Sequence, residues 1–421
     1  MRRLGTVRSA LARRARRTHV ALTPAPRLKA GDHHNERPLL ERILARNVIP
    51  FWVNRAVDSS GGYFENFDRS GDPVATDSRH VLTQSRSLWF FSRLLTTPFD
   101  HPGTERAAVH GFDYLQRAFW DSQRGGVFTA RRSDTVEPIK HFYEQVMALD
   151  ALIEYTTATG SDVAHSLVED LIDVLSSRFR DPEGGYWEGL TADWQLPDAS
   201  AGLLILNPTH KTISTHLNGL NVLATAHVRG FGDLRDQIEE LLFLVDSRAV
   251  LDGSNLMGEL FSRDWSTTIG SPTVSYGHDI ERIWMGAHAR TAIGAETGNY
   301  EAVLNEVVRW GWDRRRGGFY FGGSPRAPAV DMRKQWWVQC EALVASLLLF
   351  GASGSERHLR LFSNTLDWIH SAQVDWDEGE WFDTIDVLGR PVGAKGSKWK
   401  TGYHTTRSLL AALDLLAEVE D

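Results

Sequence analysis

An internal repeat, built around a short acidic, glycine-rich and aromatic segment, constrains the fold of this 421-residue chain more than any other feature. The clear copies are DSSGGYF (58–64), DSQRGGVF (121–128), DPEGGYW (181–187), DRRRGGFY (313–320) and DWDEGEWF (375–382). Glycine permits the positive φ angles of tight turns, and the aromatic residues that follow suit a short strand. Each copy therefore predicts a β-turn or hairpin, and we expect a degenerate copy near DGSNLMGELFSRDW (252–265).

Helical patterns of apolar residues flank each turn segment. One helical pattern follows each turn and another precedes it, as in residues 35–52. The helices that follow the turns are richer in apolar residues and are expected to be the more buried set. They are predicted at about 78–95, 140–157, 211–228, 276–291, 334–350 and 402–417. Six helical hairpins that can bury their faces only on each other predict an all-α fold: an (α/α)6 barrel with short β-hairpin turns, as one domain over 35–421.

The N-terminus differs in charge from the rest of the chain. The first 17 residues hold seven arginines and no acid, so the remainder carries a net charge of −15 against −8 for the whole chain. An acidic body argues against a nucleic-acid partner, which requires a basic surface. The segment could be a nucleic-acid arm or a targeting peptide, but it lacks the apolar stretch of a signal peptide. We predict that residues 1–34 are disordered.

Other partners and the compartment follow from composition. No run approaches the about 18 to 20 uninterrupted apolar residues of a membrane span, so no membrane partner is expected. Cys340 is the single cysteine and cannot form an internal disulfide, which is typical of a reducing compartment. We therefore predict a cytoplasmic protein that is a monomer or a homodimer.

The six helices after the turns share one further feature, which is polar or aromatic residues in their first two turns. These residues are Arg86, Tyr143, Gln145, Ser214, Asn218, His278, Glu281, Trp336, Trp337, Gln339, His404 and Arg407. A single histidine on such a helix is usually a hydrogen-bonded core residue. Parallel helices in a ring, however, bring their N-termini together at one mouth, and buried polar groups are costly unless paired. Their coincidence in all six repeats predicts a pocket at that mouth.

Five motifs resemble those of the N-acylglucosamine 2-epimerase superfamily, and most of all its cellobiose 2-epimerase branch. They are TQSRSLWFFSRL, KHFYEQVMAL, SYGHDIERIW, KQWWVQCEAL and SKWKTGYHTTR, and the resemblance covers about residues 38–417. It implies an (α/α)6 barrel that acts on the reducing end of a free sugar. It also implies that His278 and His404 are an acid/base pair, that Glu281 supports His278 and that Arg86 contacts the sugar. The implied sugar platform consists of Trp336, Trp337 and Trp399.

The chemistry of such a reaction suits these residue types. Inverting C2 of an aldose requires removal of a proton beside the C1 aldehyde and its return to the other face. Histidine, with a pKa of about 6.5, suits both steps. Glu281, one helical turn after His278, is predicted to fix its tautomer and to stabilise its imidazolium. Arg86 is predicted to stabilise the enediolate oxygen, and no cofactor is expected.

One segment departs from the family pattern. Where the cellobiose branch has N-T-H-L-H, this chain has STHLN at 214–218, so Ser214 and Asn218 replace a pocket asparagine and histidine. His216 lies about 200° around the helix from Asn218 and should point elsewhere. An asparagine does not exchange protons near pH 7. Ring opening and substrate choice are therefore left open by the sequence.

Three alternatives to this interpretation remain. A carboxylate-bridged metal site would need a second H-x-x-E motif, which is missing, so no metal is predicted. A glycoside hydrolase or lyase on the same barrel would use two carboxylates, for which Glu144, Glu281 and Glu341 are candidates. A relative that only binds sugar is the third alternative. Within the epimerase interpretation, mannose, glucose, cellobiose and mannobiose present the same reacting atoms, and aldose–ketose isomerisation shares the enediolate. We expect an unmodified hexose or a β-1,4 disaccharide as the substrate.

Overall fold

Two concentric rings of helices make up the fold. The computed structural model describes residues 36–133, 135–198, 207, 209–271, 273–298 and 300–420. The predicted disordered segment 1–34 lies outside these residues. Within them, six repeats follow one another along the chain, each with an outer helix, a turn segment and an inner helix. The predicted all-α barrel is confirmed.

The inner ring is formed by the helices that follow the turns. They are Val81–Leu95, Phe142–Thr159, Ile213–Val228, Tyr276–Ala292, Trp336–Ser353 and Gly402–Glu420, which we number as the inner helices of repeats 1 to 6. Each contacts the next, and the sixth contacts the first, so the ring is closed. Four of these helices begin two or three residues later than predicted, because the residues before them form strands.

The outer ring packs around the inner one. Three of its helices are uninterrupted: Thr104–Ala118 in repeat 2, Asp162–Ser177 in repeat 3 and Tyr300–Gly311 in repeat 5. The other three contain a π-helical turn. They are Glu36–Ile43 with Leu44–Val48 and Ile49–Arg55 in repeat 1, Arg235–Phe243 with Leu244–Arg248 in repeat 4, and Glu356–Trp368 with Ile369–Gln373 in repeat 6. Each packs on the inner helix of the preceding repeat, and the first packs on the inner helix of repeat 6. The outer helices bury one face, whereas the inner helices are buried on most sides, which explains their apolar composition.

Short antiparallel ribbons join neighbouring repeats. The pairs are Ser78–His80 with Ala130–Arg132, Ile139–His141 with Gly189–Thr191, Lys211–Thr212 with Leu260–Phe261, Val274–Ser275 with Gly322–Gly323, and Lys334–Gln335 with Thr384–Ile385. Two of these ribbons have a third strand, because Thr135–Val136 pairs with Ala130–Arg132 and Pro391–Val392 pairs with Thr384–Ile385. Asn66–Phe67 pairs with Pro73–Val74. A bridge between Phe67 and Gly396 links the first repeat to the sixth. These ribbons hold the start of each inner helix in register with its neighbour.

All six turn segments form hairpins, including the degenerate copy, as predicted. In five repeats the first aspartate of the turn binds a basic side chain. The pairs are Asp58–Arg79, Asp121–Lys140, Asp181–Lys211, Asp313–Lys334 and Asp375–Lys395. In repeat 4 both positions are apolar: Leu251, which follows the bridged Val250, takes the place of the aspartate, and Val274 takes the place of Arg79, Lys140, Lys211 and Lys334. This difference is why the fourth copy looks degenerate in sequence.

In repeats 1, 2 and 5 the fourth residue of the inner helix is a glutamine that closes the hairpin of its own repeat. In repeat 1, Gln84 accepts a hydrogen bond from the backbone of Tyr63 at 2.8 Å and donates one back at 2.9 Å. Gln145 makes the same pair of bonds to Val127. Buried backbone groups are costly to leave unpaired, so these side chains are structural.

One inner helix, Trp336–Ser353, is long and apolar enough to cross a membrane by length and composition. It belongs to repeat 5 and packs against the inner helices of repeats 4 and 6 and an outer helix. Burial inside the ring accounts for its composition, and the expectation of no membrane partner stays a prediction.

Candidate active site

A cavity of about 550 Å³ opens at the mouth where the inner helices begin. Ten of the thirteen predicted residues line it. They are Arg86, Tyr143, Ser214, Asn218, His278, Glu281, Trp336, Trp337, Trp399 and His404. The lining residues that sequence reasoning did not select are His141, Thr212, Thr215, Phe321, Gln335, Asp383 and Ser397. Gln145, Gln339 and Arg407 are not among the lining residues.

Side chains at equivalent positions of the repeats form two levels in the barrel. The third residues of the inner helices are Thr83, Glu144, Thr215, His278, Val338 and His404. The sixth residues are Arg86, Met147, Asn218, Glu281, Glu341 and Arg407. The two histidines therefore occupy the same position in repeats 4 and 6, two repeats apart around the ring. The level below them carries two arginines and two glutamates.

His404 is held by a buried glutamate of the neighbouring repeat. Its Nδ1 lies 2.7 Å from Oε1 of Glu341, whose side chain is fully buried. A carboxylate accepts hydrogen bonds, so Nδ1 carries the proton and Nε2 of neutral His404 is left as the basic nitrogen. Burial and the positive charges of Arg86 and Arg407 lower the pKa of His404 to about 3, against the hydrogen bond to Glu341. This histidine is neutral at physiological pH.

His278 is held by a different kind of carboxylate. Its Nδ1 lies 2.8 Å from Oε2 of Glu259, which sits two residues after the bridged residue of the repeat 4 hairpin. Burial would lower the pKa of His278, but the charge and hydrogen bond of Glu259, aided by Glu281 and Asp279, raise it to about 9. This histidine is protonated at physiological pH. The prediction that Glu281 fixes the tautomer of His278 is wrong, because Glu259 occupies Nδ1, although the charge of Glu281 does favour the imidazolium.

Glu281 instead belongs to the charged group beneath the histidines. Nη2 of Arg407 lies 2.7 Å from Glu341 and 3.8 Å from Glu281. Burial and the charge of Glu341 raise the pKa of Glu281 to about 7. Arg407 and the hydrogen bond to His404 outweigh burial and lower the pKa of Glu341. Arg407 was predicted to contact substrate, but its guanidinium binds these carboxylates and Tyr403 beneath the cavity.

The same cluster has the residue types of a metal site. One ligand atom from each of Glu281, Glu341 and His404 lies within 4.8 Å of the others. Arg407 and Arg86 already supply two positive charges against the two carboxylates, and Nδ1 of His404 donates to Glu341. The cluster is therefore satisfied electrostatically by the chain itself, and the expectation of no metal stays a prediction.

Trp337 packs between the two histidines. The centre of its ring lies 5.3 Å from that of His278 and 6.1 Å from that of His404. Gly277 makes room for it, because a Cβ at that position would lie 2.2 Å from the indole. Trp336 is almost fully buried beside His404. Trp337 thus holds both imidazoles at a fixed separation.

Trp399 and Arg86 lie on the opposite side of the cavity. The Trp399 side chain is 42% exposed, which leaves its ring available to a ligand. Arg86 donates one hydrogen bond to the Trp399 carbonyl at 2.7 Å and one to the Tyr143 hydroxyl at 2.5 Å. These bonds fix a cation at the edge of the cavity while the ring of Trp399 stays accessible.

The side chains of Gln339 and His216 bind the backbone of turn segments and do not line the cavity. Gln339 was predicted to bind substrate, but it is fully buried and pairs with the Phe319 backbone at 2.8 Å. It is the fourth residue of its helix and closes a hairpin like Gln84. His216 points away from the cavity, as expected, and accepts from the Tyr186 backbone at 3.1 Å.

The segment that departs from the family pattern lines the cavity. The Asn218 side chain donates a hydrogen bond at 2.9 Å to the backbone carbonyl of Ser214, one helical turn earlier. Both residues contact the cavity. The bond orients the amide, so position 218 offers hydrogen bonding at the place where the family pattern has a histidine.

Sequence reasoning missed both histidine partners. Glu341 was considered only as a hydrolase acid, and Glu259 was not considered. A signal existed in the repeat register, since Glu341 is the counterpart of Glu281 in the next repeat. Glu259 likewise matches Glu65 and Glu188 in the turns of repeats 1 and 3. Aligning the six repeats would have placed both Glu259 and Glu341 at repeated positions.

Comparison with known proteins agrees with this geometry. The family model for N-acylglucosamine 2-epimerase (GlcNAc 2-epimerase) matches residues 62–408. The chain is 25% identical over 393 residues to a cellobiose 2-epimerase of Eubacterium cellulosolvens, covering 88% of this chain and 96% of that protein. It is 21% identical over 390 residues to a D-mannose isomerase of Marinomonas mediterranea, covering 88% and 95%.

A solved structure extends the likeness to three dimensions. The cellobiose 2-epimerase from Spirochaeta thermophila superposes with a TM-score of 0.82 at 27% identity, covering 91% of this chain and 97% of that one. The resemblance predicted from the five motifs is confirmed. The chain belongs to the N-acylglucosamine 2-epimerase family and is a sugar epimerase or isomerase.

Proposed function

We propose that this enzyme moves a proton at C2 of a free, unmodified aldose, either a hexose such as mannose or glucose or a β-1,4 disaccharide such as cellobiose. The observation that carries the proposal is the pair His278 and His404 on one cavity, the first protonated and the second neutral. Pairs of titratable groups whose environments push their pKa values apart are suited to complementary acid and base roles.

His404 is the base in the proposed reaction. With Nδ1–H bound to Glu341, its free Nε2 takes the proton from C2 of the open-chain aldose. The imidazolium that forms is stabilised by the Glu341 carboxylate 2.7 Å away, so basicity rises as the proton is transferred. Glu341 is itself fixed by Arg407, which keeps the partner in place during the reaction.

His278 is the acid. Its protonated ring delivers its own proton to C2 on the face opposite to His404, which inverts the centre and leaves on His404 the proton that it took, until that proton exchanges with water. Return to C1 would give a ketose through the same enediolate. The guanidinium of Arg86, fixed by Tyr143 and the Trp399 carbonyl, stabilises the negative oxygen of that enediolate.

Two features of the cavity support an uncharged sugar as the substrate. The level beneath the histidines holds two arginines and two glutamates, so it offers little net charge to an ionic substituent. The exposed ring of Trp399 can stack on the apolar face of a sugar. Relatives are named cellobiose 2-epimerase and D-mannose isomerase, which favours these two substrate sizes.

Proton NMR in deuterium oxide across mannose, glucose, cellobiose and mannobiose tests the proposal. We expect loss of the C2 proton signal together with a new epimer or ketose. Methyl glycosides of the same sugars are the matched controls, since they cannot open and should not react. Cleavage of a methyl glycoside would indicate a hydrolase. No change in any free sugar, despite saturable binding, would indicate a sugar-binding protein and refute the proposal.

A further inference from the structure

Glu259 occupies a position that the fold uses repeatedly. In the turns of repeats 1, 3 and 4 a glutamate stands two residues after the bridged residue of the hairpin, as Glu65, Glu188 and Glu259. One oxygen of each accepts the backbone N–H of the residue before the inner helix: His80, Thr212 and Ser275 respectively. Such a bond satisfies a donor near the helix N-terminus, so this glutamate belongs to the scaffold.

The second oxygen distinguishes the repeats. In repeat 3, Oε2 of Glu188 accepts from the hydroxyl of Thr215 at 2.7 Å. In repeat 4, Oε2 of Glu259 meets Nδ1 of His278 at 2.8 Å. Thr215 and His278 are both the third residue of their inner helix. The same glutamate geometry thus reaches a structural threonine in one repeat and a reactive histidine in the other.

We propose that Glu259 is the positioning residue of His278: bound to the backbone of Ser275, it holds Nδ1–H and thereby presents Nε2 to the substrate as the acid. The catalytic part of this inference rests on the proposed function. The contact itself does not, because it follows from the two bonds that Glu259 makes.

The other acids near His278 do not replace Glu259. Asp279 is directed away, accepting from the Met257 backbone at 2.8 Å, and burial raises its pKa well above the ordinary value. Glu281 faces Arg407 and Glu341, and its pKa is raised to about 7. Among the described residues, Glu259 is the acid that hydrogen-bonds the imidazole, and its side chain is 28% exposed.

The test compares Glu259→Gln with the matched control Glu188→Gln. Glutamine keeps an oxygen for the backbone N–H but loses the charge. The pKa of His278 is measured by NMR titration of ring-labelled histidine, with the signal assigned through His278→Asn. We expect it to fall by about 1 to 3 in Glu259→Gln, as for loss of an adjacent opposite charge, and to stay unchanged in Glu188→Gln. The alkaline limb of kcat/KM should move to lower pH only in Glu259→Gln.

Each result decides the matter. An unchanged His278 titration in Glu259→Gln, or a wild-type His278 that titrates at or below about 6.5, would overturn the inference. The wild-type titration does not depend on Glu259→Gln, so it stands even if that variant does not fold. If the titration shifts as expected while wild type acts on no sugar, the proposed function fails and the positioning of His278 by Glu259 is retained.

Discussion

The surroundings of His278 and His404 differ although the two residues occupy the same position of two repeats. His278 is bound by Glu259, a partly exposed residue of its own repeat's turn. His404 is bound by Glu341, a fully buried residue of the neighbouring inner helix, which Arg407 also binds. One histidine is therefore charged and the other neutral.

The position of a histidine on its inner helix therefore does not by itself decide whether it acts as acid or base. The ring supplies the geometry by placing equivalent residues around one cavity. The partner, drawn from a turn in one case and from a neighbouring helix in the other, decides which histidine carries the proton.

Replacing either histidine should remove nearly all turnover, but in different ways. His278→Asn and His404→Asn are each expected to lose about 10² to 10⁴-fold in kcat, since each loses one acid/base group. With His404 as the base, His278→Asn should still exchange the C2 proton of one epimer for deuterium without forming the other. His404→Asn should not exchange that epimer. The measurement is proton NMR in deuterium oxide from each epimer separately.

Identical behaviour of the two variants on both epimers would show that His278 and His404 do not have separate acid and base roles. Retention of more than a tenth of the wild-type rate by either variant would remove that residue from the mechanism. Circular dichroism of both variants serves as the control for folding.

The two glutamates beneath the histidines should differ in their effect on stability. Glu341→Gln leaves Arg407 without its closest carboxylate and is expected to cost about 3 to 5 kcal/mol in the free energy of unfolding. Glu281→Gln should cost less than about 1 kcal/mol, because the raised pKa of Glu281 means that the neutral amide replaces a partly protonated acid. Urea unfolding of both variants measures the difference. Equal losses would show that both carboxylates carry full charge.

The pH profile should report the two histidines separately. An acid must carry its proton, so activity falls as pH rises through its pKa, and a base must be free, so activity falls as pH drops through its pKa. With pKa values of about 9 for His278 and about 3 for His404, kcat/KM should be flat from about pH 5 to 8 and fall above about 9. A fall on the acid side near pH 6 would show that His404 titrates like an ordinary histidine.

The smallest effect is expected from Trp399→Ala. Stacking that acts equally on substrate and transition state contributes to binding, so KM should rise about 2 to 10-fold with kcat little changed. Trp337→Ala is the matched control, because Trp337 packs on both histidines and its loss should lower kcat instead. Steady-state kinetics on the best sugar separates them. A fall in kcat for Trp399→Ala would place that ring in the positioning of the acid/base pair.

The sequence predicted the barrel and most of the cavity because both depend on local periodicity. Apolar spacing located the inner helices, and the ring then brought their first turns together. It did not predict the histidine partners, since Glu341 lies on another helix and Glu259 in a turn, and their distances are set by closure of the ring. Periodicity within one helix offered only Glu281 to His278. Gln339 failed for a related reason, because its partner Phe319 lies in the preceding hairpin.

The space beside Gly277 carries a consequence for natural variation. Glycine is among the weakest helix formers, yet any side chain at this position would collide with Trp337. A homologue that keeps the tryptophan must therefore keep the glycine, and one that loses it is released from that requirement. Across diverged sequences the two positions should change together, a signature that a search for invariant catalytic residues would overlook.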